Sequence, residues 1–323
     1  PLDRNLALEA VRVTEAAALA CSKWMGRGDE KAADQAAVNA MRRSLSSLNI
    51  DGTVVIGEGE RDQAPMLYIG EKVGTGDGPA VDIALDPLEG TTICSIGGND
   101  ALAVIAMSEK GGFLHAPDIY MDKIAVGGGL PDGVINIEDN VKTNLQNIAT
   151  AKKCNISDLL VVILDRPRHE EIIANVREAG ARIKLIDDGD VAGVIATAIP
   201  ESLVDLYIGI GGAPEGVLAA AALKCIGGQI QTKLLFENNV QRERAVRMGV
   251  SDFNKIYHLD DMATGSDVMF AATGVTNGSL MDGVKRYPGG AVTHSIVMRS
   301  KTTTVRNIIT KHNFKNKIGG DPE

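Results

Sequence analysis

The second half of the chain alternates short apolar runs with helix-like segments, and this rhythm limits the possible fold more than any other feature. Runs such as LLVVIL (159–164) and VDLYIGI (204–210) are rich in β-branched residues. Between and after them lie HEEIIANVREAG (169–180) and EGVLAAAALKCI (215–226), whose residues favour helices. Strands and helices that alternate at this length predict an α/β unit with a largely parallel sheet.

The first half has a different order. Residues 5–25 and 29–48 carry apolar side chains at helical spacing, so two helices are expected at the start. Three strand-like runs follow at 53–56, 81–85 and 101–109. This half is therefore predicted to place a pair of helices beside a sheet.

We predict an α/β fold with two domains, residues 1–153 and 154–323. The 323 residues are enough for two cores. A turn-rich zone at 126–140 and a predicted helix at 144–153 separate the two different orders of helices and strands. The last residues, KIGGDPE (317–323), are expected to be disordered.

Composition excludes several classes of partner. The net charge is −9 and aromatic residues make up only 3%, which argues against a nucleic-acid-binding protein. An apolar run of about 18 residues, long enough to cross a membrane, does not occur in the sequence. The four cysteines are scattered and form no CxxC pair, so we expect reduced thiols in a cytoplasmic protein.

Several acids stand where a buried strand or a glycine turn would hold them. These acids are Asp34, Glu58 with Glu60, Asp86 with Glu89, and Glu215. If Glu58 and Asp86 end adjacent strands, carboxylates about 4 Å apart would repel by about 4 kcal/mol. Protons or divalent cations must then neutralise them, and oxygen ligands suit Mg²⁺ or Mn²⁺.

The segment DPLEGT (86–91) has a second use. Gly90 permits close approach of a ligand, and the N–H groups of Gly90, Thr91 and Thr92 could open a short helix that binds phosphate oxygens. The hydroxyl of Thr91 is placed to orient a water. Acids, amides and a hydroxyl together describe metal-assisted hydrolysis of a phosphate ester. The alternative is that Asp-Pro-x-Glu-Gly is only a turn.

DPLEGT also resembles the Asp-Pro-x-Asp/Glu-Gly-Thr/Ser signature of the metal-dependent, lithium-sensitive sugar and inositol phosphatases. Further motifs resemble, in family order and over nearly the whole chain, the class II fructose-1,6-bisphosphatases: GRGD, ADQAAV, DGTVVIGEGERDQAPMLYIGEKVGTG, APDIYM, RPRHEEII, DGDVA and GIGGAPEGV. The resemblance implies the sugar-phosphatase fold, with alternating layers of helices and sheets. It also implies metal-binding and catalytic residues in the N-terminal domain and substrate-binding residues in the C-terminal domain.

The resemblance assigns roles residue by residue. The implied ligands of two or more Mg²⁺ or Mn²⁺ ions are Asp34, Glu58, Asp86, Glu89, Glu215 and the carbonyl of Leu88. The implied catalytic residues are Thr91, which orients the water, with Asp34 and Glu58. The implied substrate-binding residues are Glu89, Gly90, Thr91, Tyr120, Arg166, Pro167, Arg168, Asp188, Gly189, Asp190 and Gly212. Asp34 is expected to accept the hydrogen bond of Thr91, or else to be a metal ligand only.

The proposed substrate-binding residues could also have purely structural roles. Arg166 and Arg168 follow a predicted strand and could hold a phosphate, or could form a solvated helix start. Of Asp188 and Asp190, we expect one to bind a sugar hydroxyl and the other to cap a helix. Tyr120 could bind the distal phosphate or simply pack.

The sequence also suggests the environments of three residues near these motifs. His169 is expected to orient the neighbouring arginines or to face solvent. Cys94 is expected to be a small core residue. Glu30 stands where the resemblance predicts a lysine, with Lys31 directly after it.

The implied activity is removal of the 1-phosphate of fructose 1,6-bisphosphate, which yields fructose 6-phosphate for gluconeogenesis. A dual fructose-1,6/sedoheptulose-1,7-bisphosphatase is the nearest alternative, followed by an inositol monophosphatase and a non-catalytic sugar-phosphate sensor. A sugar bisphosphate is the expected partner, without nucleic acid or membrane. The resemblance also implies a homodimer or homotetramer.

Overall fold

The computed structural model describes residues 2–317, which form two compact units. The first unit contains the residues up to Phe113 and those from Gly265 onward, and the second contains Leu114–Thr264. This division differs from the predicted boundary at 153, because strands near the end of the chain pair with the first sheet. The expected disorder of 317–323 concerns residues that, Lys317 apart, lie outside the described ones.

Each helix and strand predicted above is present, and further ones occur. The helices are α1 (Leu6–Ser22), α2 (Glu30–Ser46), α3 (Thr91–Ile96), α4 (Val141–Lys152), α5 (Glu170–Ala179), α6 (Asp190–Ala196), α7 (Ala213–Ile226), α8 (Asn239–Arg247) and α9 (Leu259–Met262). The strands are β1 (Asp51–Ile56), β2 (Lys72–Val73), β3 (Ala80–Glu89), β4 (Leu102–Glu109), β5 (Tyr120–Gly127), β6 (Leu160–Leu164), β7 (Arg182–Ile186), β8 (Leu206–Gly212), β9 (Gly228–Leu234), β10 (Ile256–His258), β11 (Met269–Gly274), β12 (Lys285–Tyr287), β13 (Gly290–Arg299) and β14 (Thr304–Asn313).

The first unit is a helix pair on one sheet. Its strands have the order β12-β13-β11-β4-β3-β1-β2, with β14 also paired to β13. Only β1 and β3 are parallel among the described pairs of this sheet. Helix α1 lays small and apolar residues such as Ala10, Val13 and Ala17 on this sheet, which closes a continuous core with α2. Because β11 lies between β4 and β13, the end of the chain belongs to this unit.

The second unit has helices on both faces of its sheet. Its strand order is β10-β9-β5-β8-β6-β7. Ile124 and Val126 of β5 enter a core with α4 and α5, whereas Met121 and Lys123 face α7. The expectation of a largely parallel sheet is wrong, because only β6–β7 and β6–β8 are parallel among the described pairs. The strands β5 and β10 were not predicted, and in β5 the charged Asp122 and Lys123 interrupt the apolar pattern.

Both units are layered mixtures of helices and sheets, so the predicted α/β class is confirmed. Cys21, Cys94 and Cys225 are buried and unbridged, and Cys94 is a core residue as expected. Within residues 2–317, none of the helices has the length and apolar character needed to cross a membrane.

Candidate active site

Glu58 lies just after β1, and Asp86 lies in the last part of β3, the neighbouring parallel strand of the first sheet. Ile56 of β1 stands beside Ala84 of β3, so each acid comes two residues after this pair (56 to 58 and 84 to 86). Both acids are half-buried. The two acids therefore lie near the same end of neighbouring parallel strands. The separation of about 4 Å between their carboxylates stays a prediction.

The segment from Asp86 to Thr91 is more than a simple turn. Opposite β4 the pairing shifts between Asp86 and Glu89, and Oδ1 of Asp86 accepts the N–H of Leu88 at 3.1 Å. Gly90 then adopts φ 92° and ψ 53°, a left-handed conformation that strongly favours glycine, and α3 begins at Thr91. A bulge and a left-handed glycine therefore place Glu89 and Thr91 on either side of one helix start. The predicted short helix is confirmed.

The turn that carries Glu58 is fixed by its backbone. The N–H of Glu58 donates to the carbonyl of Leu67 at 2.9 Å, and a Cβ on Gly57 would stand 2.1 Å from the same carbonyl oxygen. Glu71 is buried and accepts both the Leu67 N–H and the Arg42 Nε–H, the latter at 2.6 Å. The backbone of the GEGE segment is thus fixed against the segment that contains Leu67.

Asp34 reaches this region from α2. That helix begins at Glu30, its N-cap Asp29 accepts the N–H of Ala32 at 3.0 Å, and it packs against both β3 and α3. Burial raises the pKa of the Asp34 carboxyl. Glu30 lies four residues before Asp34, and Lys31 lies three residues before Asp34. The helix therefore carries all three residues on one face.

The predicted substrate-binding residues of the second unit converge at one edge of its sheet. The strands β6, β7 and β8 are parallel, so their carboxyl ends share an edge. The strand β5 runs antiparallel to β8 and begins at that edge, where Tyr120 pairs with Gly212. Residues that follow β6, β7 and β8 thus lie at the same end of the sheet as the first residue of β5. Ligands of α/β sheets commonly bind at the carboxyl ends of the strands.

Tyr120 and Arg168 form a stacked pair at this edge. The Arg168 guanidinium lies 4.9 Å from the centre of the Tyr120 ring, and its Nε and Nη2 donate to the carbonyl of Ile210. Both side chains are exposed, so the ring does not merely pack in the core. Arg166 is half-buried and donates to the carbonyl of Asp165 at 2.9 Å. Each guanidinium group is therefore held by a backbone carbonyl, and neither arginine is buried.

His169 is buried and joins two strand ends. Its Nε2 accepts the N–H of Ile210 at 2.8 Å, so its Nδ1 carries the proton and donates to the carbonyl of Leu164 at 2.7 Å. Burial lowers the pKa of His169, and the nearby arginines lower it further. Exposure to solvent, one of the two expectations, is wrong. Because His169 and Arg168 bind the same residue, Ile210, the histidine helps to orient the arginine.

The DGD segment opens α6. Gly189 is the N-cap residue with φ 85°, and Oδ1 of Asp188 accepts its N–H at 2.9 Å. Asp190 is buried in the first turn and binds Nζ of Lys123 at 2.6 Å. Glycine occupies the N-cap position, and the division of sugar binding and helix capping between the two aspartates stays a prediction.

Glu215 lies in the first turn of α7 and folds back under Gly212. A Cβ on Gly212 would stand 1.9 Å from Oε2 of Glu215, so only glycine leaves room for the carboxylate. Among the described residues, this buried Oε2 has no hydrogen-bond partner. Burial, together with the charge of Asp190, raises the pKa of Glu215 to about 7, although Lys123 opposes the rise.

The predicted metal ligands are only partly gathered. In the part of the chain from residue 2 to residue 317, no three His, Cys, Asp or Glu side chains are grouped so as to hold a metal ion. The backbone nevertheless places Glu58 just after β1 and Asp86 and Glu89 in the last part of the neighbouring β3, against which the helix of Asp34 packs. The donors are oxygens, and the unpartnered Oε2 of Glu215 suits a hard cation. Within the first unit, the carboxylates of Glu58, Asp86 and Glu89 are of the kind that bind a hard divalent cation.

Lys123 is a site residue that the sequence analysis missed. It stands in YMDKIAVG between Met121 and Ile124, where a buried strand would carry an apolar residue. A lysine in such a run is the signal that could have identified it, because a buried ammonium requires a carboxylate partner.

Layered α/β units with acids near the ends of neighbouring strands and a hydroxyl at a helix start are features expected of a metal-dependent phosphatase. Comparison with known proteins is more specific. The family model described as bacterial fructose-1,6-bisphosphatase, glpX-encoded, matches residues 4–312, and the chain belongs to this family.

Several curated relatives are similar over their whole length. The chain is 48% identical to fructose-1,6-bisphosphatase 1 class 2 of Escherichia coli K12, over 99% of this chain and 98% of the relative. Identity and coverage are the same for the class 2 enzymes of Escherichia coli O6:H1 and Shigella flexneri.

Proposed function

We propose that the protein hydrolyses the 1-phosphate of fructose 1,6-bisphosphate to give fructose 6-phosphate and phosphate, a step of gluconeogenesis. The observation that carries the proposal is the Asp86–Thr91 segment, whose bulge and left-handed Gly90 hold two acids and a hydroxyl at one helix start. Membership of the family over nearly the whole chain supports the same substrate.

Oxygen ligands would hold Mg²⁺ or Mn²⁺ in this protein. The proposed ligands are Asp34, Glu58, Asp86, Glu89, Glu215 and the Leu88 carbonyl. When bound, such ions polarise a phosphoryl group and lower the pKa of water. The Thr91 hydroxyl orients the attacking water, and Asp34 accepts the hydrogen bond of Thr91. The raised pKa of Asp34 makes this carboxyl a better proton acceptor than an exposed aspartate.

The other residues hold the substrate. Glu89, Gly90 and Thr91 contact the reacting phosphate, and the stacked Tyr120 and Arg168 bind the distal phosphate together with Arg166. The sugar hydroxyls bind at the DGD segment (188–190), and Pro167 and Gly212 shape the pocket. Family membership also supports a homodimer or homotetramer in the cytoplasm.

Phosphate release from a panel of sugar phosphates tests the proposal. We expect release from fructose 1,6-bisphosphate with Mg²⁺ or Mn²⁺ and none after chelation. Equal turnover of sedoheptulose 1,7-bisphosphate would indicate the dual enzyme. A preference for inositol 1-phosphate would contradict the proposal, because that substrate lacks the second phosphate that Arg166 and Arg168 bind. Binding without release would indicate a sensor.

A further inference from the structure

Lys123 lies in the middle of β5, on the face that packs against α7. Its side chain is 1% exposed, and its Nζ is 2.6 Å from Oδ2 of Asp190, which is also buried. A buried ammonium is costly unless a carboxylate compensates it with good geometry. The two residues therefore form one unit that neither could form alone.

Two glycines provide the space that this ion pair occupies. A Cβ on Gly211 would stand 2.3 Å from Oδ2 of Asp190 and 3.2 Å from Nζ of Lys123. A Cβ on Gly216 would stand 3.3 Å from Cε of Lys123 and 2.7 Å from Sδ of Met121. Neither glycine has a positive φ, so the requirement is for space. The backbone of β8 and α7 is thus built around the pair.

The pair also neighbours a second acid. Asp190 repels the Glu215 carboxylate, and Lys123 attracts it. One buried cation therefore faces two acids, one proposed to bind the sugar and one proposed to bind a metal. Without this cation the two carboxylates would stand beside each other with no fixed positive charge between them.

We propose that Lys123 is a positioning residue for the sugar pocket. Its ammonium holds the Asp190 carboxylate in one orientation toward the sugar and allows Asp190 and Glu215 to be neighbours. The inference rests on the proposed function, because it takes Asp190 to be a sugar-binding residue. Lys123 acts through Asp190 and contacts no reacting atom.

A double-mutant cycle on KM tests this role. We expect Lys123→Met to raise KM for fructose 1,6-bisphosphate about tenfold, with kcat changed less than about threefold, because Asp190 loses its orientation. Asp190→Asn should have a similar effect, and the double variant should be no worse than Asp190→Asn. Lys152→Met is the matched control, because it breaks the ion pair with Asp205 at the opposite end of β8. It should leave KM unchanged.

Two kinetic outcomes would overturn the proposal. One is a folded Lys123→Met protein whose KM stays within about twofold of the unsubstituted protein. The other is a double variant whose KM exceeds that of Asp190→Asn about tenfold, because the lysine would then act independently of the aspartate. This second comparison also decides the question if Lys123→Met alone does not fold.

Thermal unfolding in a chelator gives a readout that needs no activity. Lys123→Met should lower Tm, and adding Asp190→Asn should restore at least half of the loss, since no unpaired buried charge then remains. A double variant with no recovery would show that the two residues do not act as a pair. If the unsubstituted protein releases no phosphate, the proposed function fails, whereas this comparison still tests the pairing.

Discussion

Most of the proposed site residues of the first unit come from one short stretch of chain, whereas those of the second come from four strand ends. Asp86–Thr91 supplies acids, carbonyl, glycine and hydroxyl within a single bulge and helix start. In the second unit, residues at the start of β5 and after β6, β7 and β8 meet only because the sheet brings these ends to one edge.

The two regions therefore depend on different physical supports. The first is held by local backbone conformation, above all the left-handed Gly90. The second is held by buried polar side chains that join strands: His169 binds Leu164 and Ile210, and Lys123 binds Asp190. A substitution in the first region should remove one chemical group, whereas a substitution in the second should displace several.

The largest effect is expected at Thr91, in the contiguous region. Thr91→Ala removes the hydroxyl proposed to orient the attacking water, so kcat should fall about 100-fold or more while KM changes little. Phosphate release under saturating fructose 1,6-bisphosphate measures the change. Thr92→Ala is the control, since Thr92 is the next, exposed residue of α3. Similar losses in both variants would mean that the helix start, and not the hydroxyl, is responsible.

The same contrast explains what the sequence could predict. DPLEGT could be interpreted directly, because its acids, glycine and threonine are adjacent and their local conformation follows from residue type. Lys123 was missed, and His169 was only half understood, because their roles depend on strands that are distant in sequence. The predicted boundary differs from the division into two units for the same reason: the pairing of β11 with β4 joins residues about 165 positions apart, which no local pattern reveals.

An intermediate effect is expected from Gly212→Ala, which tests whether the dispersed region depends on close backbone approach. The new Cβ would stand 1.9 Å from Oε2 of Glu215, so the carboxylate must move. We expect kcat/KM to fall about tenfold and the Mg²⁺ concentration for half-maximal activity to rise. Gly128→Ala is the control, because its Cβ would have no neighbour closer than 3.4 Å. Equal activity of both variants would remove the proposed link between Gly212 and Glu215.

The smallest effect is expected at Glu109, which lies outside both regions, near the point where the chain leaves the first unit and returns to it. Its carboxylate accepts hydrogen bonds from the N–H and hydroxyl of Ser266 and from the Asp267 N–H. Burial raises the pKa of Glu109, but these hydrogen bonds outweigh burial and lower the pKa to about 2. A folded-state pKa below the unfolded value stabilises the protein above about pH 4.5, and this stabilisation is lost as pH falls toward 2.

Glu109→Gln should therefore lower Tm at pH 7 by about 1–3 °C, a small change because the side chain is only half-buried and solvent screens its interactions. The Tm difference from the unsubstituted protein should shrink steadily between pH 4.5 and pH 2, where the glutamate becomes protonated. Scanning calorimetry across this range measures it, with the exposed Glu178→Gln of α5 as control. A Tm difference that did not change with pH would show that the hydrogen-bond geometry of the amide, and not the charge of Glu109, sets the effect. Activity at pH 7 should be unchanged, since this acid belongs to neither group of site residues.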